Sequence, residues 1–214
     1  TDSTAKVAES HGVNTIREFF CEKLGKELAS RGNLASLIVA NNVFAHVPDI
    51  NDFTLGLKAA LRPEGTIVLE FPHLLKLIDQ IQFDTIYHEH YSYLSLETVI
   101  SIFSKAGLKI VDVEELSTHG GSLRVFGCHS DDSRDSSSAV FEILRTEASM
   151  GLKKLATYQA FQKQADQIRN DFLEFLVEKK KEGSSVVGYG AAAKGNTLIN
   201  YSGVTVDLLP FICD

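Results

Sequence analysis

Residues 36–43, SLIVANNV, form an apolar run of the length of one buried strand. A helical pattern follows, for which Asn51 or Asp52 is a suitable N-cap and which Pro63 is expected to end. The next apolar run, residues 66–71 (TIVLEF), predicts a second strand. Strands and helices that alternate through short links predict an α/β fold, with parallel strands covered by helices.

Two more strands are predicted downstream, at residues 108–113 and 122–128. Ser95 is a suitable cap for the helix before them, and Gly107 is a suitable end for it. The two strands are separated by a short segment with two adjacent glycines. They are therefore expected to form an antiparallel hairpin at the edge of the sheet.

The polar segment 130–138, SDDSRDSSS, predicts a surface loop and a domain boundary. Apolar residues at steps of three and four then predict one long helix over residues 151–182, either a strut between two domains or a coiled-coil arm. A strand, a glycine-rich turn and a helix follow, as at the start of a second α/β domain. The expected division is residues 1–130 for part of a first α/β domain, 131–150 for a linker region, and 151–214 for the long helix and an incomplete second domain.

Composition excludes several classes of function. The chain has 214 residues and a net charge of −7, with no cluster of basic residues larger than 179–181, so a nucleic-acid partner is not expected. Cys21, Cys128 and Cys213 are too far apart in sequence to predict a disulfide framework or a zinc site. No apolar run approaches the length of about 20 residues that spans a membrane, and no leader pattern is visible, so a cytoplasmic protein is expected.

The densest cluster of reactive side chains is YHEHY, residues 87–91. In an extended segment, Tyr87, Glu89 and Tyr91 share one side, whereas in a helical turn Tyr87 meets His90. Either arrangement offers a base, a carboxylate that orients it and a phenol that donates a hydrogen bond. A metal site on His88 and His90, or a hydrogen-bonded surface turn, remains an alternative.

Polar residues also follow the predicted strands, where ligands of open α/β sheets bind. Asn41 and Asn42 directly follow the apolar residues SLIVA at the end of the first strand, and His46 lies close behind them in the sequence. The glycines of HGGSLR allow a ligand to approach the backbone near Arg124, although they equally suit a plain hairpin turn. The glycine-rich turn over residues 188–195 suits a phosphate, but its spacing is not that of a P-loop.

Five stretches together resemble the sugar C-methyltransferases that act on nucleotide-linked 4-keto sugars in deoxysugar biosynthesis. They are NNVFAHVPD, LEFPHLLKLI, FDTIYHEHYSYLS, HGGSLRV and GYGAAAKGNTLINY. The resemblance implies a class I methyltransferase domain with a Rossmann-like sheet, a C-terminal α/β domain, and S-adenosyl-L-methionine as cofactor. The family's zinc cysteines and glycine-rich cofactor loop have no counterpart in this sequence, so structural zinc is expected only in an N-terminal domain outside it.

The resemblance also implies roles for individual residues. His90 is expected to be the general base, with the other catalytic residues Tyr87, Glu89 and His46 around it, and the cofactor is expected beside Asn41 and Asn42. Side-chain chemistry adds the candidates for contact with the sugar nucleotide, which are Phe71, Ser122, Arg124, Lys194 and Asn196.

The implied reaction removes a proton from the carbon next to a ketone, and that enolate carbon then receives a methyl group. His90 takes the proton, Tyr87 or His46 donates to the enolate oxygen, and Glu89 fixes the tautomer of the imidazole. No metal in this chain is expected to take part. The alternatives are a keto-sugar epimerase that uses the same enolate, a non-catalytic sugar-nucleotide-binding module, and a nicotinamide oxidoreductase.

Overall fold

The structure, a computed structural model, describes residues 2–190 and 192–213. Its helices are α1 (Asp2–Ser10), α2 (Glu22–Ser30), α3 (Ile50–Ala60), α4 (Leu74–Asp79), α5 (Leu96–Lys105), α6 (Ser138–Ser149), α7 (Leu155–Lys181) and α8 (Ala193–Ser202). Its strands are β1 (Ala35–Asn41), β2 (Leu61–Pro72), β3 (Leu108–Leu116), β4 (Ser122–His129), β5 (Val187–Tyr189) and β6 (Phe211–Cys213).

The first sheet has the strand order β1-β2-β4-β3. Strands β1 and β2 are parallel, and β4 runs antiparallel to both of its neighbours. The expected hairpin of β3 and β4 is present, but β4 inserts between β2 and β3, so that β3 forms the edge. A second sheet pairs β5 and β6 in parallel. The predicted α/β fold, with a Rossmann-like first sheet and a second α/β unit, is therefore confirmed.

The core lies between this sheet and the helices that connect its strands. Strand β2 places alternate side chains inward because successive residues of a strand point to opposite faces. The side chains that are fully shielded from solvent include Phe44, Ile67, Leu69, Phe71, Val99, Phe103, Leu123 and Val125. The short turns that follow β1 and β2 are thereby attached to a buried core.

Helix α3 begins two or three residues earlier than expected. Asp49 is its N-cap, with a carboxylate that accepts hydrogen bonds from the backbone N–H groups of Asn51 and Asp52. The predicted caps, Asn51 and Asp52, therefore lie inside the helix, because Asp49 is the residue with the extended backbone that a cap requires. Pro63 does not end the helix either, since the chain already enters β2 at Leu61.

Helix α6 falls within residues 131–150, where a linker region was expected. Residues 130–137 do form a loop, but α6 packs against β3 and α5 and contributes the buried side chains of Val140 and Glu147. The exact domain boundary stays a prediction. Residues 138–149 nevertheless belong physically to the first sheet and its helices.

Helix α7 spans 27 residues and agrees with the predicted long helix. It packs against α8, which follows the glycine-rich turn. Among the described residues, no helix combines the length and apolar character needed to cross a membrane.

Candidate active site

Two chain segments meet near the ends of β1 and β2. The first is the 3-10 turn Phe44–His46, and the second is the segment 87–93, which contains the YHEHY cluster. The backbone N–H groups of Tyr91 and Ser92 donate to the carbonyl of Ala45, at 2.9 and 3.2 Å. These bonds fix the two segments side by side, so His46 and His90 lie close together, as their motifs predicted.

The imidazole of His90 is held in one tautomer by the backbone. Its Nδ1 lies 2.8 Å from the carbonyl oxygen of Thr85. Because a carbonyl only accepts hydrogen bonds, Nδ1 must carry the proton, and Nε2 of the neutral ring then carries a lone pair. His90 is partly buried, and its Nε2 has the lone pair that a proton acceptor requires.

His46 is held in the same way. Its Nδ1 donates to the carbonyl oxygen of Glu89 at 2.7 Å, and its ring centroid lies 4.8 Å from that of His90. Nε2 of neutral His46 is therefore an acceptor. This tautomer argues against the expected role of His46 as a donor to the enolate oxygen while the ring is neutral.

Two tyrosines border the ring of His90. The centroid of Tyr87 lies 4.6 Å from that of His90, and the centroid of Tyr93 lies 5.9 Å away. Burial raises the pKa of both phenols, and Glu89 and Asp84 raise that of Tyr87 further. Phenols with a raised pKa stay protonated at neutral pH and remain hydrogen-bond donors.

Three residues of the candidate site were not predicted from the sequence. Thr85, Ser92 and Tyr93 line a small pocket together with His90 and the apolar side chains of Ala45, Leu74 and Leu77. Tyr93 was the easiest to find, because it belongs to the same YHEHYSY motif and stands three residues after His90. The role of Thr85 depends on its backbone carbonyl, for which side-chain patterns give no signal.

Glu89 does not orient His90 as expected. The partner of His90 Nδ1 is the carbonyl of Thr85, and Glu89 contributes its own carbonyl to His46 instead. The side chains of Glu89 and His88 are exposed. Within the described residues, no group of three or more His, Cys, Asp or Glu side chains is arranged to hold a metal ion.

Asn41 and Asn42 lie at the carboxyl end of β1, as expected. Asn42 adopts a positive φ of 53°, and its backbone N–H donates to the carbonyl of Glu70 at 2.8 Å. Its side-chain Nδ2 lies 3.1 Å from Nε2 of His119, which also has a positive φ, of 55°. Such backbone is uncommon outside glycine and is found preferentially at functional sites.

Two of the expected substrate residues are structural. Phe71 is fully shielded from solvent and packs on Phe44, with ring centroids 6.2 Å apart. Ser122 is 1% exposed and donates to the carbonyl of Thr118 at 3.0 Å. The alternation along β2 and the hairpin turn direct both side chains into the protein, away from the surface that a ligand could reach.

The guanidinium of Arg124 forms ion pairs with two carboxylates. One terminal nitrogen lies 3.1 Å from buried Glu70, and the other lies 3.2 Å from Glu114. Thr118 donates to the second oxygen of Glu70 at 3.1 Å. The guanidinium thus neutralises a buried carboxylate on β2, which argues against its expected contact with the sugar nucleotide.

Lys194 and Asn196 lie in the first turn of α8, after the glycine-rich turn. Both are exposed. The helix contacts the candidate site from its other end, where the ring of Tyr201 packs on Phe83 with centroids 5.2 Å apart. Contact of Lys194 and Asn196 with a sugar nucleotide stays a prediction.

Two family models match consecutive parts of the chain. Residues 6–113, just over half of the chain, match the family model of a methyltransferase domain, and residues 117–214 match that of a C-methyltransferase C-terminal domain. The chain belongs to the methyltransferase family. The two matches meet inside the first sheet, since β4 falls in the second match and yet pairs with β2 and β3.

Among curated proteins, the chain is similar to the C-methyltransferase NovU of Streptomyces niveus. The two are 37% identical over 210 residues, which is 98% of this chain and 50% of that protein. The chain therefore spans about half the length of this relative.

Two solved methyltransferase structures also show likeness. Magnesium protoporphyrin IX methyltransferase (ChlM) from Synechocystis PCC 6803, with bound SAH, is 16% identical and has a TM-score of 0.37, with 48% of each chain covered. An O-methyltransferase family protein from Burkholderia thailandensis is 14% identical and has a TM-score of 0.43, with 61% of this chain and 41% of that chain covered.

Proposed function

We propose that the complete protein is a cytoplasmic, S-adenosyl-L-methionine-dependent C-methyltransferase whose substrate is a nucleotide-linked 4-keto sugar. Membership of the methyltransferase family and the similarity to a C-methyltransferase support the class of reaction. The resemblance of the motifs supports the sugar. The observation that carries the proposal is the bond from His90 Nδ1 to the carbonyl of Thr85, which leaves Nε2 as a base.

The chain's own residues account for the proton transfer. A proton on a carbon next to a ketone is only weakly acidic, so it leaves when a base accepts it and a donor stabilises the enolate oxygen that forms. Nε2 of His90 accepts the proton, the electron pair of the C–H bond becomes the carbon–carbon double bond of the enolate, and the π pair of the carbonyl moves to the ketone oxygen. Tyr87 is the favoured donor to that oxygen, because neutral His46 presents only an acceptor at Nε2. His46 then accepts a hydrogen bond from a hydroxyl of the sugar.

The residues at the end of β1 fit the polar part of the cofactor. Asn41 is exposed there, and the backbone of Asn42 is fixed by its bond to Glu70. Their amides offer both donors and acceptors, which suits an amino-acid and ribose moiety. When bound, S-adenosyl-L-methionine supplies an electrophilic methyl group.

The nucleotide part of the substrate is assigned to the glycine-rich turn. Gly190 has a φ of +98°, and the carbonyl of Gly190 lies 3.2 Å from where a Cβ on Gly195 would stand. Gly190 and Gly195 thus lie close together beside the N-terminus of α8, where phosphates are favoured. Lys194 adds a positive charge in the first helical turn.

The first prediction tests the base in the complete protein. Replacement His90→Asn should lower kcat/KM by about 10²- to 10⁴-fold, because general bases contribute that much. The same replacement at His88, which is exposed in the same motif, is the matched control and should change kcat/KM by less than about threefold. A His90→Asn enzyme within about tenfold of the wild type would refute the assignment of the base.

Solvent exchange separates the reaction classes. The complete protein, incubated with keto sugar in heavy water without S-adenosyl-L-methionine, should introduce deuterium next to the ketone, and addition of the cofactor should yield the methylated sugar. Deuterium uptake and an inverted centre without methylation would identify an epimerase. Sugar-nucleotide binding with neither reaction would identify a binding module.

A further inference from the structure

Tyr201 joins three elements of the structure. Its hydroxyl donates to Oδ1 of Asp166 at 2.6 Å and accepts from Nε2 of Gln162 at 2.8 Å, and both partners lie on α7. Its ring packs on that of Phe83, with centroids 5.2 Å apart. Arg169 on α7 also contacts the ring of Tyr201, with its guanidinium carbon 5.5 Å from the ring centroid.

Phe83 begins the 3-10 turn Phe83–Thr85, which carries the carbonyl that holds the base. Both end residues of the turn are buried. The turn is stiff, because the N–H of Thr85 donates to the carbonyl of Gln82 at 3.1 Å and the hydroxyl of Thr85 donates to the same carbonyl at 2.8 Å. A displacement of the Phe83 ring is therefore transmitted to the carbonyl of Thr85, two residues away.

We propose that Tyr201 is a positioning residue for the base, through which α7 and α8 set the place of the Thr85 carbonyl at Nδ1 of His90. It touches no reacting group and acts through Phe83 and the turn. The C-terminal unit, which consists of β5, α8 and β6, thus does more than add a second sheet. The tautomer and orientation of the base depend on the contact of this unit with the turn Phe83–Thr85. The proposal that His90 is the base rests on the proposed function, but the effect of Tyr201 on the imidazole does not.

The geometry explains why such support is needed. The hydrogen bond to the Thr85 carbonyl sets the tautomer of the His90 ring. The neighbouring segment 86–89 is open to solvent, with Ile86, His88 and Glu89 exposed. Misplacement of a catalytic group by about 1 Å is enough to lower the rate by about 10²-fold. A rigid aromatic contact behind the turn removes that freedom.

The test measures the imidazole directly, in the complete protein labelled with ¹⁵N-histidine. Long-range ¹H–¹⁵N spectra report which ring nitrogen carries the proton, and the cross-peaks absent from the His90→Asn variant identify His90. The wild type should show the Nδ1–H tautomer. In Tyr201→Ala, His90 should become a mixture of tautomers, whereas Tyr201→Phe keeps the ring on Phe83 and should restore the Nδ1–H form.

Tyr158→Ala is the matched control. Tyr158 lies on α7 and its hydroxyl donates to the carbonyl of Leu152 at 2.7 Å, away from the turn. This variant should lose stability without a change at His90. Should Tyr201→Ala fail to fold, Phe83→Leu removes the other ring of the same contact while it keeps an apolar side chain in place, and the same shift of tautomer is expected.

Kinetics of the complete protein give a second readout. Tyr201→Ala should lower kcat by about tenfold or more, with KM changed by less than about twofold, because the binding groups are intact and the base is misplaced. An unchanged His90 tautomer in folded Tyr201→Ala and Phe83→Leu would overturn the inference. A shifted tautomer in a protein whose wild type shows neither deuterium exchange nor methylation would instead refute the proposed function and leave the role of Tyr201 standing.

Discussion

His73 and Glu147 form a buried polar contact outside the candidate site. Nε2 of His73 lies 2.8 Å from Oε1 of Glu147, and the same carboxylate accepts from the backbone N–H groups of Leu96 and Glu97 at 2.6 and 3.1 Å. Glu147 on α6 therefore caps the N-terminus of α5 from outside that helix, where a negative charge is favoured. Nδ1 of His73 has no hydrogen-bond partner, which favours the neutral ring with its proton on Nε2.

Removal of this carboxylate should be costly. We expect Glu147→Ala to lower the free energy of unfolding by about 3–5 kcal/mol, because it leaves the buried Nε2–H of His73 and two helix N–H groups without their acceptor. Glu142→Ala, on the exposed side of the same helix, is the control and should change stability by less than about 0.5 kcal/mol. Urea unfolding of both variants measures the difference, and equal losses would contradict the assigned role of Glu147.

At the level of residues, side-chain chemistry predicted the members of the cluster but not their partners. The proximity of His46, Tyr87 and His90 agrees with the structure, since it followed from motifs with several reactive groups. The tautomer of His90 depends on a backbone carbonyl, and the charge on Arg124 is used by two carboxylates across the strands, which only the strand register reveals. Phe71 was the avoidable error, because the alternation of TIVLEF already places it inward with Ile67 and Leu69.

At the level of elements, α2 and α3 meet at two glycines. A Cβ on Gly25 would stand 2.4 Å from the carbonyl oxygen of Gly56, and a Cβ on Gly56 would stand 2.5 Å from the carbonyl oxygen of Cys21. Both distances are far shorter than a van der Waals contact and involve backbone atoms, which cannot swing away. The two helices can approach this closely only because both positions lack a side chain.

Gly56→Ala should therefore destabilise the protein by about 1–3 kcal/mol, as overpacking does, although alanine has the higher helix propensity. Ser101→Ala, on the exposed side of α5, is the control. It should raise the free energy of unfolding slightly, because alanine has the higher helix propensity and the side chain there is exposed. Thermal unfolding of the two variants compares them. A Gly56→Ala variant more stable than the wild type would show that the helices separate without cost.

The pattern of apolar residues predicted some helices and strands better than others. Apolar runs located β2, β3 and β4 because burial selects such runs. The buried strand expected at residues 36–43 is instead an edge strand, β1, in which Leu37 and Val39 are exposed. The sequence did not reveal that Asp49 caps α3, because several neighbouring residues were equally able to cap it. Helix α6 was missed because its sequence, SAVFEILRTEAS, directly follows a polar loop and buries few residues, one of which is a glutamate.

At the level of the whole molecule, the two sheets differ in how firmly they are enclosed. Strands β5 and β6 have three residues each and no buried side chain, whereas β2 and β4 are largely buried. The C-terminal unit is tied to α7 by Asp166 with Tyr201 and by Asp207 with Lys180, at 2.6 and 2.8 Å. Its attachment therefore depends on polar contacts more than that of the first sheet does.

Acid should release this unit before the core. The bond from Tyr201 lowers the pKa of Asp166, and Lys180, aided by Thr205, lowers the pKa of Asp207 from 3.8 to about 2. A carboxylate with a lowered pKa stabilises the folded state above its ordinary pKa, and this contribution is lost as the pH falls through the folded value. NMR spectra recorded from pH 5 to pH 2 should show changes in β5, β6 and α8 below about pH 4, while amides of β2 and β4 keep their dispersion.

In Lys180→Gln, which relieves the shift in the pKa of Asp207, the changes in β5, β6 and α8 should begin at higher pH. Loss of both sheets in one step, or loss of the first sheet before the second, would show that the C-terminal unit is not held by these carboxylates.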